Sequence, residues 1–142
     1  MNSFVKNFIE NNIDLIESQE WEKVFYIWLE QSYDYSLYDD SLIHEFNSII
    51  VQTQLITEEA SEEVRRHIVE KEVEKTIDSL IDQRGFSSMI SRKNIYNSIP
   101  FSLGFSETEF CTIIDDVIKN KFSGKLDLHI SNSRNKLYRI IS

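Results

Sequence analysis

Apolar residues recur at steps of three and four along most of the first 84 positions, a spacing typical of amphipathic helices. In the opening stretch, for example, Phe4, Val5, Phe8 and Ile9 form one apolar stripe. Gly85 suits the left-handed position that often follows a helix. The pattern predicts four helices. The first covers 3–17, the second begins after a cap at Ser18, the third runs from 40 or 41 to 54, and the fourth covers 57–84.

The last part of the chain has a different pattern, in which two shorter helices precede a β-hairpin. Pro100 is expected to stop the first of them. Ser106 and Glu109 fit a capping box, and Phe105 and Phe110 fall at the two positions of a hydrophobic staple. Apolar and polar residues then alternate, which is strand spacing, on either side of a turn-forming stretch. The predicted elements are helices at 91–99 and 107–121 and strands at 126–130 and 137–141.

These elements predict a mainly α fold, a helical bundle with a long central helix and a C-terminal helix-helix-β-hairpin unit. That element order is the order of a winged-helix module, so the unit is expected to be winged-helix-like. We predict an acidic helical subdomain at 1–84 and a helix-helix-hairpin subdomain at 85–142, which share one core. The length of 142 residues fits one domain or two such small subdomains.

Charge is distributed unevenly over the two predicted subdomains. The formal net charge is −9, but residues 1–83 carry 19 acidic and 6 basic side chains, whereas residues 84–142 carry 5 acidic and 9 basic ones. One interpretation is chance clustering on solvated helix faces. The other is an acidic face that meets a basic partner, and the sequence leaves both open. The net negative charge disfavours nucleic acid as a partner, because phosphates would repel it.

The sequence predicts a cytoplasmic protein that does not bind membranes. Lys6 and Glu10 interrupt the first hydrophobic stretch, and no run approaches the roughly 20 apolar residues that cross a bilayer. Cys111 is the single cysteine, so an internal disulfide is excluded, as is usual for proteins of reducing compartments. The oligomeric state does not follow from the sequence.

A tyrosine-rich acidic segment at 33–40 loses the helical period and is predicted to be a loop. Tyrosine is rigid and amphipathic and serves well as an interface anchor, and flanking carboxylates would steer a basic partner. An alternative interpretation is that the tyrosine rings close one end of the helical core while the acids cap the third helix. The predicted partner-binding residues are Glu30, Tyr33, Asp34, Tyr35, Tyr38, Asp39 and Asp40.

Residues that could carry catalysis or bind a metal are scattered. His67 lies near Glu63 and Glu70 at a spacing that carboxylate–imidazole metal sites use, but no second motif supplies further ligands. Cys111 falls in the first turns of a capped helix, yet no histidine lies near it in sequence to activate it. The three glycines are far apart and form no phosphate-binding loop. We therefore predict no catalytic residues, no metal site, no cofactor and no enzyme activity.

The basic hairpin raises a second hypothesis, a winged-helix regulator that binds DNA. In such a module the second of the paired helices enters the major groove and the hairpin contacts the phosphate backbone. The predicted wing is basic, with Lys125, Arg134, Lys136 and Arg139. The helix that would enter the groove carries four carboxylates against two lysines, which costs affinity for phosphates. These residues are Glu107, Glu109, Asp115 and Asp116, against Lys119 and Lys121. A third hypothesis is an assembly or adaptor component of a phage or secretion system.

A stretch near the start of the chain comprises Phe8-Ile9-Glu10-Asn11-Asn12, then Ile16, then Trp21 to Phe25, about a sixth of the sequence. It resembles the start of small bacterial immunity proteins, which accompany the toxins of contact-dependent growth inhibition and related polymorphic-toxin systems. The resemblance implies a cytoplasmic protein that binds and blocks one toxin domain, commonly a nuclease. A nuclease face is basic because it binds phosphate, so an acidic inhibitor with tyrosine anchors would complement it. We therefore predict an immunity- or antitoxin-type inhibitor of a cognate toxin with a basic surface.

Overall fold

The computed structural model describes residues 2–34, 40–132 and 135–142, without the side chains of residues 33, 34 and 40. As predicted, the fold is mainly helical, with a small antiparallel sheet near the carboxy terminus. The helices are α1 (Ser3–Asn11), α2 (Ile13–Glu17), α3 (Trp21–Asp34), α4 (Asp40–Gln52), α5 (Glu58–Arg84), α6 (Arg92–Ser98) and α7 (Glu107–Lys121). The strands are β1 (Met89–Ser91), β2 (Leu126–Ser131) and β3 (Lys136–Ile140).

The chain divides into two compact units, unit 1 up to Ile68 and unit 2 from Val69 onward. The division falls inside α5, earlier in the chain than the subdomain boundary predicted after residue 84. Counted on the sequence, unit 1 has 14 acidic and 4 basic side chains, and unit 2 has 10 acidic and 11 basic ones. Unit 1 therefore carries a net charge of −10, which accounts for the whole negative excess of the chain.

The first predicted helix is interrupted, and the prediction of one helix from 3 to 17 is wrong. Asn12 separates α1 from α2 with φ −120 and ψ 20, and its side-chain amide donates to the carbonyl of Phe8. Ser18 does not cap α3 as predicted. Its hydroxyl donates to the Glu20 carboxylate at 2.9 Å and lies 3.2 Å from the carbonyl of Leu15, and the following helix begins three residues later at Trp21. An asparagine side chain can compete in this way for a backbone carbonyl, and here that competition ends α1 early, at Asn11.

The core of unit 1 is an aromatic cluster. Phe46 of α4 lies 5.2 Å from Phe8 of α1, measured between ring centroids, 6.1 Å from Phe25 and 5.0 Å from Trp28, both of α3. All four side chains are at most 1% exposed. Pairs of this kind add about 0.5–1.5 kcal/mol each beyond the burial of their surface, so the cluster stabilises the packing of α1, α3 and α4 against one another.

Helix boundaries that depend on strong local patterns are confirmed. The third predicted helix and the long helix appear as α4 and α5, and Gly85 follows α5 with φ +78. The Ser106–Glu109 capping box is present at the start of α7, with both of its hydrogen bonds. A second capping box, of Ser91 and Asn94, starts α6. None of the helices in the described part of the chain has both the length and the apolar character that a bilayer crossing requires.

The predicted hairpin is part of a three-stranded sheet in unit 2. Its order is β1-β3-β2, and both pairings are antiparallel. Strand β1 was not predicted, because three residues are too few to show an alternating pattern and the strand is defined by its pairing with β3. In chain order, unit 2 has β1, α6, α7, β2 and β3 after α5. Together with the sheet order, this is the winged-helix-like arrangement that was expected.

Candidate functional site

Glu30 is the one predicted partner-binding residue whose side chain the structure describes, and it is exposed on α3. Helical backbone covers both ends of the predicted loop, since α3 continues through Asp34 and α4 begins at Asp40. Six of the predicted residues have side chains outside the described part of the structure, namely Tyr33, Asp34, Tyr35, Tyr38, Asp39 and Asp40. Their role in binding therefore stays a prediction. Glu30 is the residue of this predicted site that can be placed on the described surface.

Tyr26 lies between two glutamates on one face of α3. Glu22 and Glu30 are one turn before and one turn after it, and residues four apart are neighbours on a helix surface. The Tyr26 side chain is 42% exposed, whereas Trp21, the most exposed of the other aromatic side chains described on α3, is 7% exposed. This face of α3 therefore offers an aromatic ring that solvent reaches, with a carboxylate on either side.

A groove of about 570 Å³ lies beside this face, within unit 1. Trp21 and Tyr26 of α3 and Val64 of α5 supply its aromatic and apolar lining. Its other lining residues are polar or charged, namely Gln19, Glu20, Glu22 and Lys23. Ligand and partner sites commonly combine an apolar lining with a few polar groups in this way.

The turn before α3 positions the acidic side of the groove. Gln19 adopts φ 59, so the chain reverses between α2 and α3 within a few residues. The Glu20 carboxylate accepts hydrogen bonds of 2.9 Å from both Lys23 Nζ and the Ser18 hydroxyl. The Lys23 bond, followed by the Ser18 bond, lowers the pKa of Glu20. Glu20 is therefore ionised at neutral pH and held at the edge of the groove.

A ring of hydrogen bonds fixes the helix that supplies Val64. Asn47 of α4 donates to the Glu58 carboxylate at 2.9 Å, and Arg65 donates to the same carboxylate and to the Ser61 hydroxyl, each at 3.2 Å. The Ser61 hydroxyl in turn donates to the Asn47 side-chain carbonyl, which closes the ring. Asn47, Ser61 and Arg65 are at most 7% exposed. Because each of these buried groups is satisfied, the ring holds α5 in one rotation, with Val64 at the groove.

Further carboxylates surround this region of α5. Three exposed glutamates, Glu59, Glu62 and Glu63, come within the five residues before Val64. This part of α5, which lines one side of the groove, is thus acidic, like the face of α3 that carries Tyr26. A cationic partner approaching Tyr26 would meet negative charge from both helices.

Tyr26 and Val64 are not among the partner-binding residues that the sequence predicts. The sequence did contain a pattern that points to Tyr26, because Glu22-x₃-Tyr26-x₃-Glu30 places an aromatic ring on a helix face that is otherwise polar. The contribution of Val64 had no local pattern, since it depends on α5 lying beside a helix some forty residues earlier.

Asp115 of α7 links three elements of unit 2. Its Oδ2 lies 2.9 Å from Arg92 Nη1 of α6 and 3.2 Å from Lys136 Nζ of β3. Burial, and then the nearby charge of Asp115, raise the pKa of Tyr138 to about 12. Asp115, which counted against DNA binding, and Lys136, which belongs to the predicted basic wing, are thus paired with each other.

Reactive side chains are not grouped. Among the residues that the structure describes, no three histidine, cysteine, aspartate or glutamate side chains are arranged to hold a metal ion. His67 is exposed on α5. Burial raises the pKa of the Cys111 thiol, although the Arg92 charge opposes this, so the thiolate that a nucleophile requires is disfavoured.

Comparisons of the chain with protein-family models, with curated proteins and with solved structures found no match. Function has to be inferred from the groove of unit 1 and from the charges around it.

Proposed function

We propose that this chain is an immunity- or antitoxin-type inhibitor, which binds a toxin domain with a basic surface and blocks it. The observation that supports this most is the exposed Tyr26 ring between Glu22 and Glu30, beside a groove lined by Trp21 and Val64. It lies in a unit that carries 14 acidic and 4 basic side chains.

This arrangement suits a basic protein surface for two physical reasons. An aromatic anchor that is already held by its helix loses little conformational freedom on binding, so burying it contributes strongly to affinity. The surrounding carboxylates attract a positive surface over a distance of about 10 Å at ordinary salt, and this speeds encounter. A nuclease is the toxin class that fits best, because its active face must attract phosphate.

The dependence of association on salt tests the electrostatic part of this proposal. The probe is the purified toxin domain encoded next to the gene for this chain, immobilised for biolayer interferometry. Between 50 and 500 mM NaCl we expect the association rate constant to fall by about tenfold or more, while the dissociation rate constant changes much less, as for charges at an interface rim. No binding at any salt concentration, or an association rate that does not depend on salt, would contradict the proposal.

A winged-helix DNA-binding regulator is the second candidate, and the β1-β3-β2 strand order of unit 2 favours it. Two of the four carboxylates that count against DNA binding are used internally, since Glu109 caps its own helix and Asp115 pairs with Arg92. A gel-shift assay at low and moderate salt, with DNA from the promoter of the gene itself, distinguishes this candidate. Absence of any shift removes it.

A further inference from the structure

The open edge of β2 in unit 2 exposes two large apolar side chains beside one charged residue, Asp127. Leu128 is 50% exposed and Ile130 is 49% exposed, although both belong to a regular strand. Of the six residues of β2, Leu126 alone is buried. Exposed edge strands normally carry charged residues, proline or very short lengths, because an uncovered edge recruits other chains.

The pairing of β2 with β3 shows which backbone groups point outward. The Ile141 N–H donates to the Lys125 carbonyl at 2.9 Å, so these two residues form a hydrogen-bonded pair. Hydrogen-bonded and non-hydrogen-bonded pairs alternate along an antiparallel ladder, and Leu128, opposite Tyr138, falls at a non-hydrogen-bonded position. The N–H and carbonyl of Leu128 therefore point away from β3, and within the described residues no hydrogen bond from outside the sheet reaches them.

An irregularity in β2 distributes its apolar side chains over both faces of this edge. The register shifts between Leu128 and Ile130, so that Leu128 pairs with Tyr138 whereas Ile130 pairs with Leu137. Paired residues point to the same face, so Leu128 shares the face of Tyr138 and Ile130 shares the opposite face. A strand added beside Leu128 would meet apolar surface on the face of Tyr138, whereas Ile130 lies beyond the irregularity on the opposite face.

The charge around this edge is positive. From Lys125 to the end of β3 the sequence has four basic side chains and one acidic side chain, Asp127, although Lys136 is paired with Asp115 of α7. Lys125 and Arg139 are exposed, and Arg139 is the residue paired with Asp127. A partner segment with acidic side chains would be attracted here, whereas the basic partner proposed for unit 1 would be repelled.

We propose that the open edge of β2 is a second docking site, which takes an acidic, extended segment of another protein as a short added strand. The segment forms backbone hydrogen bonds with Leu128, places apolar side chains against Leu128 on one face of the sheet, and directs carboxylates toward Lys125 and Arg139 on the other. Strand addition of this kind obtains affinity from the backbone and specificity from alternate side chains. The extra residue at His129 ends the regular edge and keeps the added strand short.

A peptide titration followed by NMR tests this proposal on the intact chain. The probe is an acetylated, amidated hexapeptide of alternating valine and glutamate, and the controls are the same peptide with lysine for glutamate and with N-methylated valines. We expect the acidic peptide to shift the Leu128 amide resonance and slow its hydrogen exchange. Both controls should bind about tenfold more weakly or not at all, since one reverses the charge and the other removes backbone donors.

Variants separate an edge-strand site from a general attraction to positive charge. Leu128→Asn and Lys125→Glu should each weaken binding of the acidic peptide by about fivefold or more. Ile13→Asn is the matched control, because Ile13 is a 40% exposed residue of unit 1, and it should leave binding unchanged. The proposal is overturned if Leu128→Asn binds like the parent chain. It is also overturned if a 12-base-pair DNA duplex shifts the Lys125 and Arg139 resonances while the peptide shifts nothing.

Discussion

Replacing Phe46 by alanine is expected to lower the free energy of unfolding of unit 1 by about 3–5 kcal/mol. Phe46 is fully buried and lies 5.0 to 6.1 Å, between ring centroids, from Phe8, Phe25 and Trp28. Its removal leaves a cavity between α1, α3 and α4 and deletes three aromatic contacts at once. A loss of this size is a large share of the 5–15 kcal/mol that stabilises a typical domain.

Urea unfolding followed by tryptophan fluorescence measures this loss in unit 1 specifically, since both tryptophans, Trp21 and Trp28, belong to that unit. Phe86→Ala is the matched control, because Phe86 is 76% exposed and belongs to unit 2. The control should stay within about 0.5 kcal/mol of the parent chain. A loss below about 1 kcal/mol for Phe46→Ala, with an unchanged slope against urea, would mean that the cluster is not the core of unit 1.

Much of the fold could be predicted because its determinants are local. The apolar spacing of α4 and α5, the glycine after α5 and the Ser106–Glu109 box each lie within a few residues of the boundary they define. The errors have a different origin. The break at Asn12 depends on a side chain competing for the Phe8 carbonyl, and β1 exists through a partner strand nearly fifty residues later. Neither determinant is visible in a short window of sequence.

The candidate site was less predictable than the fold. The sequence itself shows that acidic charge is concentrated in its amino-terminal part, and the role of Glu30 in binding stays a prediction. The ring of Tyr26 between Glu22 and Glu30 was a visible pattern, but nothing in the sequence shows that Val64 lies beside this face of α3. The buried position of Arg65 was equally hidden, since its four-residue hydrogen-bond ring forms only when α4 and α5 pack together.

Substitutions on the exposed face of α3 are expected to weaken binding of the proposed toxin strongly. Tyr26→Ala combined with Glu30→Lys removes the proposed anchor and reverses one neighbouring charge. Both side chains are exposed, so the stability of unit 1 should change by less than about 1 kcal/mol. Loss of a central aromatic anchor costs about 2 kcal/mol or more at a protein interface, which corresponds to a loss of affinity of about 30-fold.

Isothermal titration calorimetry tests the proposed role of this face most directly. The toxin domain expected from the neighbouring gene is titrated into the parent chain, the Tyr26→Ala/Glu30→Lys variant and the Phe86→Ala control. We expect equal affinity for the parent and the control, and an affinity about 30-fold lower or worse for the α3 variant. If the α3 variant binds within about twofold of the parent while remaining folded, the groove of unit 1 is not where this protein meets its partner.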